Sequence, residues 1–323
     1  MHIKKLFALA ALLSLYTFAA TPTYGEDLKM SNTAWKNHYF GRLMLALPNN
    51  VEIAADYKLF DAKLELISKN ARTQVPSLAS KKIDEIKRGV ARGTSGTYEK
   101  TIELDNGSTL ILSRMSSLYT FHIYLITSKN TAYYMVVPNI TEKGMPGAVE
   151  RMRMLSNAIH YRHPNEAPPS GGFALEAGYT TLQKNKFFES VYMGAQINEH
   201  PGTYISLLTN TITERESTLI ERFDAKQYDT SISELVSSGS IKTLRKRKRS
   251  IGNIDGEEIA LSASADGKTY YAFQFEYEGT IDSTTEPYIA LELGTHEVGS
   301  DFKSDDEALA FWDQMLAGLA SLK

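Results

Sequence analysis

Carboxylates on two predicted strands are the residues of this chain whose types and spacing could do chemistry. Glu276, Glu278 and Glu292 fall on the polar faces of these strands, and Glu257 and Glu258 precede them in the sequence. Paired carboxylates can hydrolyse glycosides, one serving as the acid and the other as the base or nucleophile. A solvated sheet face explains the same positions by simple alternation and is the favoured interpretation. The third interpretation is that this acidic face contacts a partner.

The run from Arg245 to Arg249, Arg-Lys-Arg-Lys-Arg, is the sharpest charge feature. Five consecutive cations can bind phosphate, anionic lipid or an acid-rich protein surface. An exposed strand with both faces in water explains the run without a ligand, and such a strand also guards a sheet edge against unwanted pairing. We name six candidate partner-binding residues: Arg245, Arg247, Arg249, Glu276, Glu278 and Glu292. We expect replacement of the three arginines to alter association more than folding.

Complete catalytic motifs are absent from the sequence. It contains neither a Gly-x-Ser-x-Gly elbow nor a His-Glu-x-x-His helix motif. Ser300 and Lys303 have the Ser-x-x-Lys spacing of some acyl enzymes, but the partner motifs of those enzymes are missing. Gly267-Lys268-Thr269 is interpreted as part of a turn between two strands rather than a phosphate loop. We therefore expect no catalytic residue, no metal and no cofactor.

Residues 1–25 are typical of a secretory signal peptide. Lys4 and Lys5 precede an apolar segment, Leu6 to Ala20, that is too short to span a bilayer. The mature protein is expected to begin near Glu26 in the periplasm. Loss of the two lysines changes the net charge from −3 to −5, which gives no reason to expect nucleic acid as a partner. The chain has no cysteine, so core packing alone must hold it together.

The sequence predicts an α+β protein of two domains, each with a mixed or antiparallel sheet packed against helices. A Pro/Gly-rich linker at 164–172 separates an N-terminal domain, 26–163, from a C-terminal domain, 173–323. The two closing helices match at an offset of 161, which places Met154-Leu155 on Met315-Leu316. A distant duplication and two unrelated domains with generic helix patterns both explain so short a match.

Periodicity also predicts particular elements. A helix is expected to follow Pro76, and the last helix to begin with a capping box of Ser304 and Glu307. On that last helix Trp312 lies on the apolar stripe, which predicts a core residue rather than a binding residue. In the strand around 271–278, aromatic residues at alternate positions predict one buried face.

A resemblance to a known family rests on an ordered set of short segments. In the second half they are Leu244-Arg245, Gly256-Glu257-Glu258, Phe273-Gln274-Phe275-Glu276, Gly279, Asp282-Ser283, Pro287, Leu291-Glu292-Leu293 and Ala308-Leu309-Ala310-Phe311-Trp312-Asp313. Upstream they are Gly171-Gly172-Phe173-Ala174, Tyr39-Phe40-Gly41-Arg42 and Leu45-Ala46-Leu47-Pro48. This order and spacing resemble the type VI secretion immunity proteins that neutralise lipase (phospholipase) effectors. The family often has a cysteine where this chain has Ala174, so no disulfide is implied here.

The resemblance implies a binding function instead of a reaction. The expected partner is a cognate lipase effector, held so that its active-site entrance or lid is blocked, with no nucleic acid and no membrane insertion. A periplasmic hydrolase that uses the paired carboxylates and an envelope adaptor protein are the alternatives. A lipase gene beside this one would favour immunity, and its absence would favour the adaptor.

Overall fold

The computed structural model describes residues 34–68, 70–93, 96–182, 184–228 and 240–322. The predicted signal peptide, residues 1–25, lies outside these ranges and stays a prediction. The strands are β1 (Trp35–Phe40), β2 (Leu43–Pro48), β3 (Val51–Leu59), β4 (Ala62–Ser68), β5 (Thr97–Glu103), β6 (Thr109–Met115), β7 (Leu118–Ile126), β8 (Ala132–Thr141), β9 (Ile159–Tyr161), β10 (Phe173–Leu175), β11 (Gly178–Thr180), β12 (Glu189–Ile197), β13 (Thr203–Asn210), β14 (Ser240–Ile251), β15 (Ile254–Ala265), β16 (Lys268–Tyr277), β17 (Tyr288–Thr295) and β18 (Ala320–Ser321). The helices are α1 (Ala71–Ala91), α2 (Met145–Ala158), α3 (Leu219–Asp224) and α4 (Asp305–Ala317).

One twelve-stranded antiparallel sheet runs through both halves of the chain. Its strand order is β14-β15-β16-β17-β13-β12-β3-β4-β8-β7-β6-β5. At its centre β3 pairs with β12, from Val51 opposite Ile197 to Leu59 opposite Glu189. The predicted α+β class is confirmed. The division into two domains stays a prediction, and the two halves share one continuous sheet across the predicted linker.

Two small sheets join the halves a second time, because each half supplies a strand to the other. The hairpin β1–β2 pairs with β18, and the hairpin β10–β11 pairs with β9. Gly41 and Ala174 connect the two hairpins through reciprocal backbone hydrogen bonds of 3.0 and 2.7 Å. Gly41 has a φ of 57°, and a Cβ there would lie 2.9 Å from the Phe173 ring, so this contact requires glycine.

The large sheet has a core on each face. We call the face that carries α2 and α4 the inner face; its core continues from the N-terminal half, at Leu64 and Phe121, to the C-terminal half, at Phe273. The outer face carries two separate clusters. One lies under α1 around Ile111, and the other lies beside Leu219 of α3.

The two halves have the same strand order when each is read outward from the centre. Strands β3-β4-β8-β7-β6-β5 in one half correspond to β12-β13-β17-β16-β15-β14 in the other. The closing helices also bury equivalent positions: Ala148, Met152, Leu155 and Ser156 in α2, and Ala308, Trp312, Met315 and Leu316 in α4. These positions correspond at an offset of 160, so the offset of 161 expected from Met154-Leu155 is one residue too long for the buried faces.

The predicted start of α1 is wrong by several residues, and the predicted start of α4 is correct. Helix α1 begins at Ala71 and contains Pro76. Ala71 and Val75 are almost fully buried, and their packing offsets the hydrogen bond that Pro76 cannot donate. At α4 the Ser304 hydroxyl accepts a hydrogen bond from the Glu307 amide, as expected of an N-cap, but the predicted capping box is only half formed, because the Glu307 carboxylate accepts from the Lys303 amide instead of that of Ser304.

Candidate functional site

The β14–β15 hairpin brings the three predicted arginines to one carboxylate. Ile251 pairs with Ile254 across a two-residue turn, which places Arg247 opposite Glu258. A bulge between Thr243 and Arg245 shifts the register further along the strand. Side chains alternate across a strand, so Arg245, Arg247 and Arg249 all lie on the inner face with Glu258.

Glu258 is completely buried and accepts hydrogen bonds from all three arginines. The donors are Arg245 Nη1 at 3.2 Å, Arg247 Nε at 2.7 Å and Arg249 Nη1 at 3.0 Å. Trp312 Nε1 adds a fourth hydrogen bond of 2.9 Å. On α4, Asp313 receives two hydrogen bonds from Arg245, of 2.6 and 2.8 Å, and one from Arg249, of 2.7 Å. We call the three arginines, with Glu258 and Asp313, the arginine ladder.

The surroundings of the two acids in the arginine ladder lower the pKa of both and so favour their ionised forms. Burial raises the pKa of Glu258, but the hydrogen bonds and positive charges of the three arginines outweigh burial, so its pKa lies below the ordinary value. The hydrogen bonds from Arg245 and Arg249 lower the pKa of Asp313 against a smaller opposing effect of burial. The ladder is therefore a partly buried ionic network in which removal of the cations leaves a buried charge.

The expectation of a strand exposed on both faces is wrong for the arginine side of β14. The side chains of Arg245 and Arg249 are only 20% and 17% exposed, whereas Arg247 is 49% exposed. The expectation that these residues matter more for association than for folding stays untested, but their ion pairs with buried Glu258 give a reason to expect an effect on folding as well. Lys246 and Lys248 are exposed on the opposite face, where Lys246 forms an ion pair with Asp224.

Two of the predicted acidic residues meet on the outer face of the sheet. Gln274 Nε2 donates to Glu276 at 2.8 Å and to Glu292 at 3.3 Å. Arg222 forms an ion pair of 2.6 Å with Glu276, and the Ser206 hydroxyl donates to Glu292 at 3.1 Å. The two carboxylates are near neighbours, as the strand pattern predicted, and both act as hydrogen-bonded parts of the sheet.

The expectation of a solvated acidic face is wrong at Glu276, which is only 5% exposed. Glu292 is half-buried, and Glu278 is exposed directly after the end of β16. Helix α3 covers this part of the outer face, since its Arg222 forms an ion pair with Glu276 and its Leu219 belongs to the same buried cluster as Ala272 of β16. Of the six predicted partner-binding residues, Arg247 and Glu278 are thus the most accessible.

Sequence patterns did not single out the centre of the outer face, where the two halves meet. We call Ala54, Asp56, Tyr192 and Gly194 the central strip. Tyr192 lies opposite Asp56, and Gly194 lies opposite Ala54. Tyr192 is 36% exposed, and a Cβ on Gly194 would meet no atom within 4 Å. A large aromatic ring therefore stands beside small residues on an accessible surface that both halves build.

Two buried arginines fix the predicted linker. Arg162 donates hydrogen bonds to five backbone carbonyls at both ends of it, those of His163, Pro164, Glu166, Leu175 and Gly178, over 2.5–3.2 Å. Arg42 donates to the Gly171 carbonyl at 2.6 Å and to both carboxylate oxygens of Glu189 at 2.6 and 2.7 Å. Burial raises the pKa of Glu189, and its pairing with Arg42 opposes this shift. The linker thus has a defined path over the protein.

Other kinds of site find little support in the described part of the chain. Its residues contain no group of three or more His, Asp or Glu side chains arranged to hold a metal ion. No helix within the described ranges has the length and apolarity needed to cross a membrane. The conspicuous features there are accessible side chains on a hydrogen-bonded sheet, which suit contact with another macromolecule.

Comparison with known proteins agrees with a binding role. Residues 166–320 match the family described as Tle cognate immunity protein 4, C-terminal domain. The apo structure of the immunity protein TplEi of the type VI secretion system from Pseudomonas aeruginosa superposes with a TM-score of 0.80 at 26% identity, covering 91% of this chain and 99% of that one. TplEi in complex with "L" peptide gives a TM-score of 0.77 at 27% identity, covering 89% and 98%.

A third solved structure, that of the Tle4–Tli4 complex, matches with a TM-score of 0.79 at 26% identity, covering 89% of this chain and 97% of that one. No curated protein sequence matches the chain. The family that residues 166–320 match and the solved structures of similar fold are immunity proteins, which bind effectors and are not enzymes. The match of residues 166–320 and the similarity of the fold both support the resemblance to type VI secretion lipase immunity proteins that the sequence predicted.

Proposed function

We propose that this protein binds a cognate lipase (phospholipase) effector and inhibits it by blocking its active-site entrance or lid. The match of residues 166–320 to the immunity family is the observation that carries this proposal. The rigid sheet supports it physically, because inhibition by occlusion requires a preorganised surface and no bond chemistry. The periplasm is the proposed compartment, on the strength of the apolar segment that follows Lys4 and Lys5.

The proposed contact surface includes the central strip. Tyr192 is one of the residue types that are enriched at binding hot spots, and the small residues beside it leave room for a partner side chain. Because β3 and β12 pair along their whole length, both halves present this surface as one body. Arg247 and Glu278, the accessible members of the predicted set, are proposed as separate partner contacts, because Arg247 lies on the inner face at the β14 edge and away from the central strip.

Titration of the lipase encoded beside this gene tests the function. We expect phospholipid hydrolysis to fall to a sharp endpoint near one inhibitor per enzyme. Tyr192→Ala should weaken binding by about 2 kcal/mol or more, roughly thirty-fold, if this ring is a hot spot. Met115→Ala is the matched control, since Met115 is a 58% exposed apolar side chain far from the central strip in the sheet order. Absence of a complex at micromolar concentration would refute the function, whereas equal effects of the two variants would refute only the surface.

We also propose that the two halves, divided at 164–172, are domains that arose by duplication. The identical strand order supports this proposal, and so do the buried positions of α2 and α4 that correspond at an offset of 160. The exchange of β9 and β18 between halves is what a swapped dimer would leave after its two chains were fused. Superposition of 51–161 on 189–321 tests the proposal. Failure of α2 to fall on α4 when the strands are aligned would refute it.

A further inference from the structure

Strand β14 forms one open edge of the twelve-stranded sheet. Among the described residues it pairs with β15 alone, and the order of the sheet ends there. An edge strand directs the N–H and C=O groups of alternate residues outward, and these can pair with another extended chain. At twelve residues β14 is long enough to template a complete additional strand.

The charges on this edge discriminate between possible strands. Arg245, Arg247 and Arg249 occur at alternate positions, about 7 Å apart along a strand, and face the inner side. Lys246 and Lys248 face the outer side. Two copies of this edge would therefore oppose cation to cation and repel, which disfavours pairing of β14 with the β14 of a second molecule. The same charges are complementary to an acidic strand.

The arginine ladder is preorganised to receive carboxylates. Each guanidinium has five N–H donors. The six hydrogen bonds that the three arginines make to Glu258 and Asp313 use fewer than half of these donors. Three cations against two acids also leave a net positive charge. Because the acids hold the guanidinium groups in place, an incoming carboxylate meets donors that are already oriented.

We infer that β14 is a docking edge for an acidic, strand-forming segment of a partner protein, whose carboxylates at alternate positions meet Arg245, Arg247 and Arg249. An added strand continues the sheet, so its side chains reach cations on both faces. A planar lipid surface cannot contact the arginines on one face and Lys248 on the other at once. The inference goes beyond the proposed inhibition, since it concerns the sheet edge and not the central strip.

Hydrogen exchange of the full chain with defined peptides tests the inference. The probe is a ten-residue peptide that alternates Glu with Val, and the control peptide alternates Lys with Val. We expect the acidic peptide to slow amide exchange in β14 and to leave β5, the other edge of the sheet, unchanged. The basic peptide should protect neither edge. The effect should weaken as salt shortens the screening length from about 10 Å at 0.1 M to about 3 Å at 1 M.

A single variant then assigns the contact to the arginines. Arg247→Gln removes the most exposed guanidinium and leaves Arg245 and Arg249 on Glu258. We expect it to weaken binding of the acidic peptide by roughly 1.4- to 5-fold, the usual range for one cross-strand charge pair. Protection of both edges, of neither edge, or equal protection by the basic peptide would overturn the inference. Protection of β14 by vesicles of anionic lipid but not by the peptide would overturn it in favour of a membrane contact.

Discussion

The arginine ladder gives a quantitative prediction about stability. Replacing Arg245, Arg247 and Arg249 together with Ser removes the three cations that neutralise Glu258. If the three were surface residues, the loss would be about 0.5 kcal/mol each or less. Because Glu258 is fully buried, we expect the cost of an unpaired buried charge instead, about 3–5 kcal/mol. For about 300 residues, at an unfolding entropy of about 2.1 cal/mol/K per residue, that corresponds to a fall in Tm of roughly 5–8 °C.

The pH dependence of the lost stability identifies the unpaired charge of Glu258 as its cause. The wild-type pKa of Glu258 is lowered, so its pairing stabilises the fold above the unfolded pKa of about 4.3 and is lost as the pH falls through the native value. Without the arginines, burial raises the native pKa of Glu258, so the variant loses stability as the pH rises through about 4.3. The stability gap should therefore be widest near neutral pH and narrow in acid.

Urea unfolding at pH 7 and pH 4 measures this gap. Two matched variants complete the experiment. Lys246→Ser with Lys248→Ser removes two cations from the opposite face of the same strand and should cost about 1 kcal/mol or less. Adding Glu258→Gln to the arginine variant should restore much of the lost stability at pH 7, since it removes the unpaired charge. A loss below about 1.5 kcal/mol that is the same at both pH values would show that the ladder does not stabilise the fold.

Three further predictions follow from other residues. Trp312→Ala should cost about 3–5 kcal/mol in urea unfolding, because the ring is fully buried; unchanged stability with lost partner binding would make it a contact residue instead. Arg42→Met should also cost about 3–5 kcal/mol, because it leaves buried Glu189 unpaired. The double variant, Arg42→Met with Glu189→Leu, should recover most of this stability. A double variant as unstable as the single one would contradict this cause. Mass spectrometry of a periplasmic extract should find a mature N-terminus near Glu26, and intact Met1 on a cytosolic species would contradict the signal peptide.

Alternation of residue types predicted the faces of strands but not what covers them. In β16 the aromatic face, with Phe273 and Phe275, is buried as expected. The opposite face was expected in water, yet Gln274 and Glu276 are 3% and 5% exposed. Periodicity predicts which residues share one face of a strand, but it does not predict whether a helix covers that face. Burial of Ala272 beside α3 depends on contacts between distant segments.

The pairing of the arginines with Glu258 could be predicted from the sequence. A two-residue turn at Gly252-Asn253 fixes Ile251 opposite Ile254. Counting back four residues along one strand and forward four along the other places Arg247 opposite Glu258. The contact of Arg245 with Glu258 was harder to predict from the sequence, because the bulge after Thr243 shifts the register. The sequence contains no signal for the pairing of β3 with β12. The outer strand of a predicted domain has the same alternation of residue types whether or not another strand pairs with it.

Because each half supplies a closing strand to the other, the first hairpin cannot be completed until the end of the chain has been synthesised. About 270 residues separate β2 from its neighbour β18. At a synthesis rate of about 5–20 residues per second, the first hairpin waits roughly 15–50 s for its third strand. During that time Leu43, Leu45 and Leu47, which are almost fully buried in the finished protein, lack the α4 end of their core. The core around the first hairpin is therefore completed only when the last strand has been made, and any truncation that removes β18 leaves the first hairpin without its third strand.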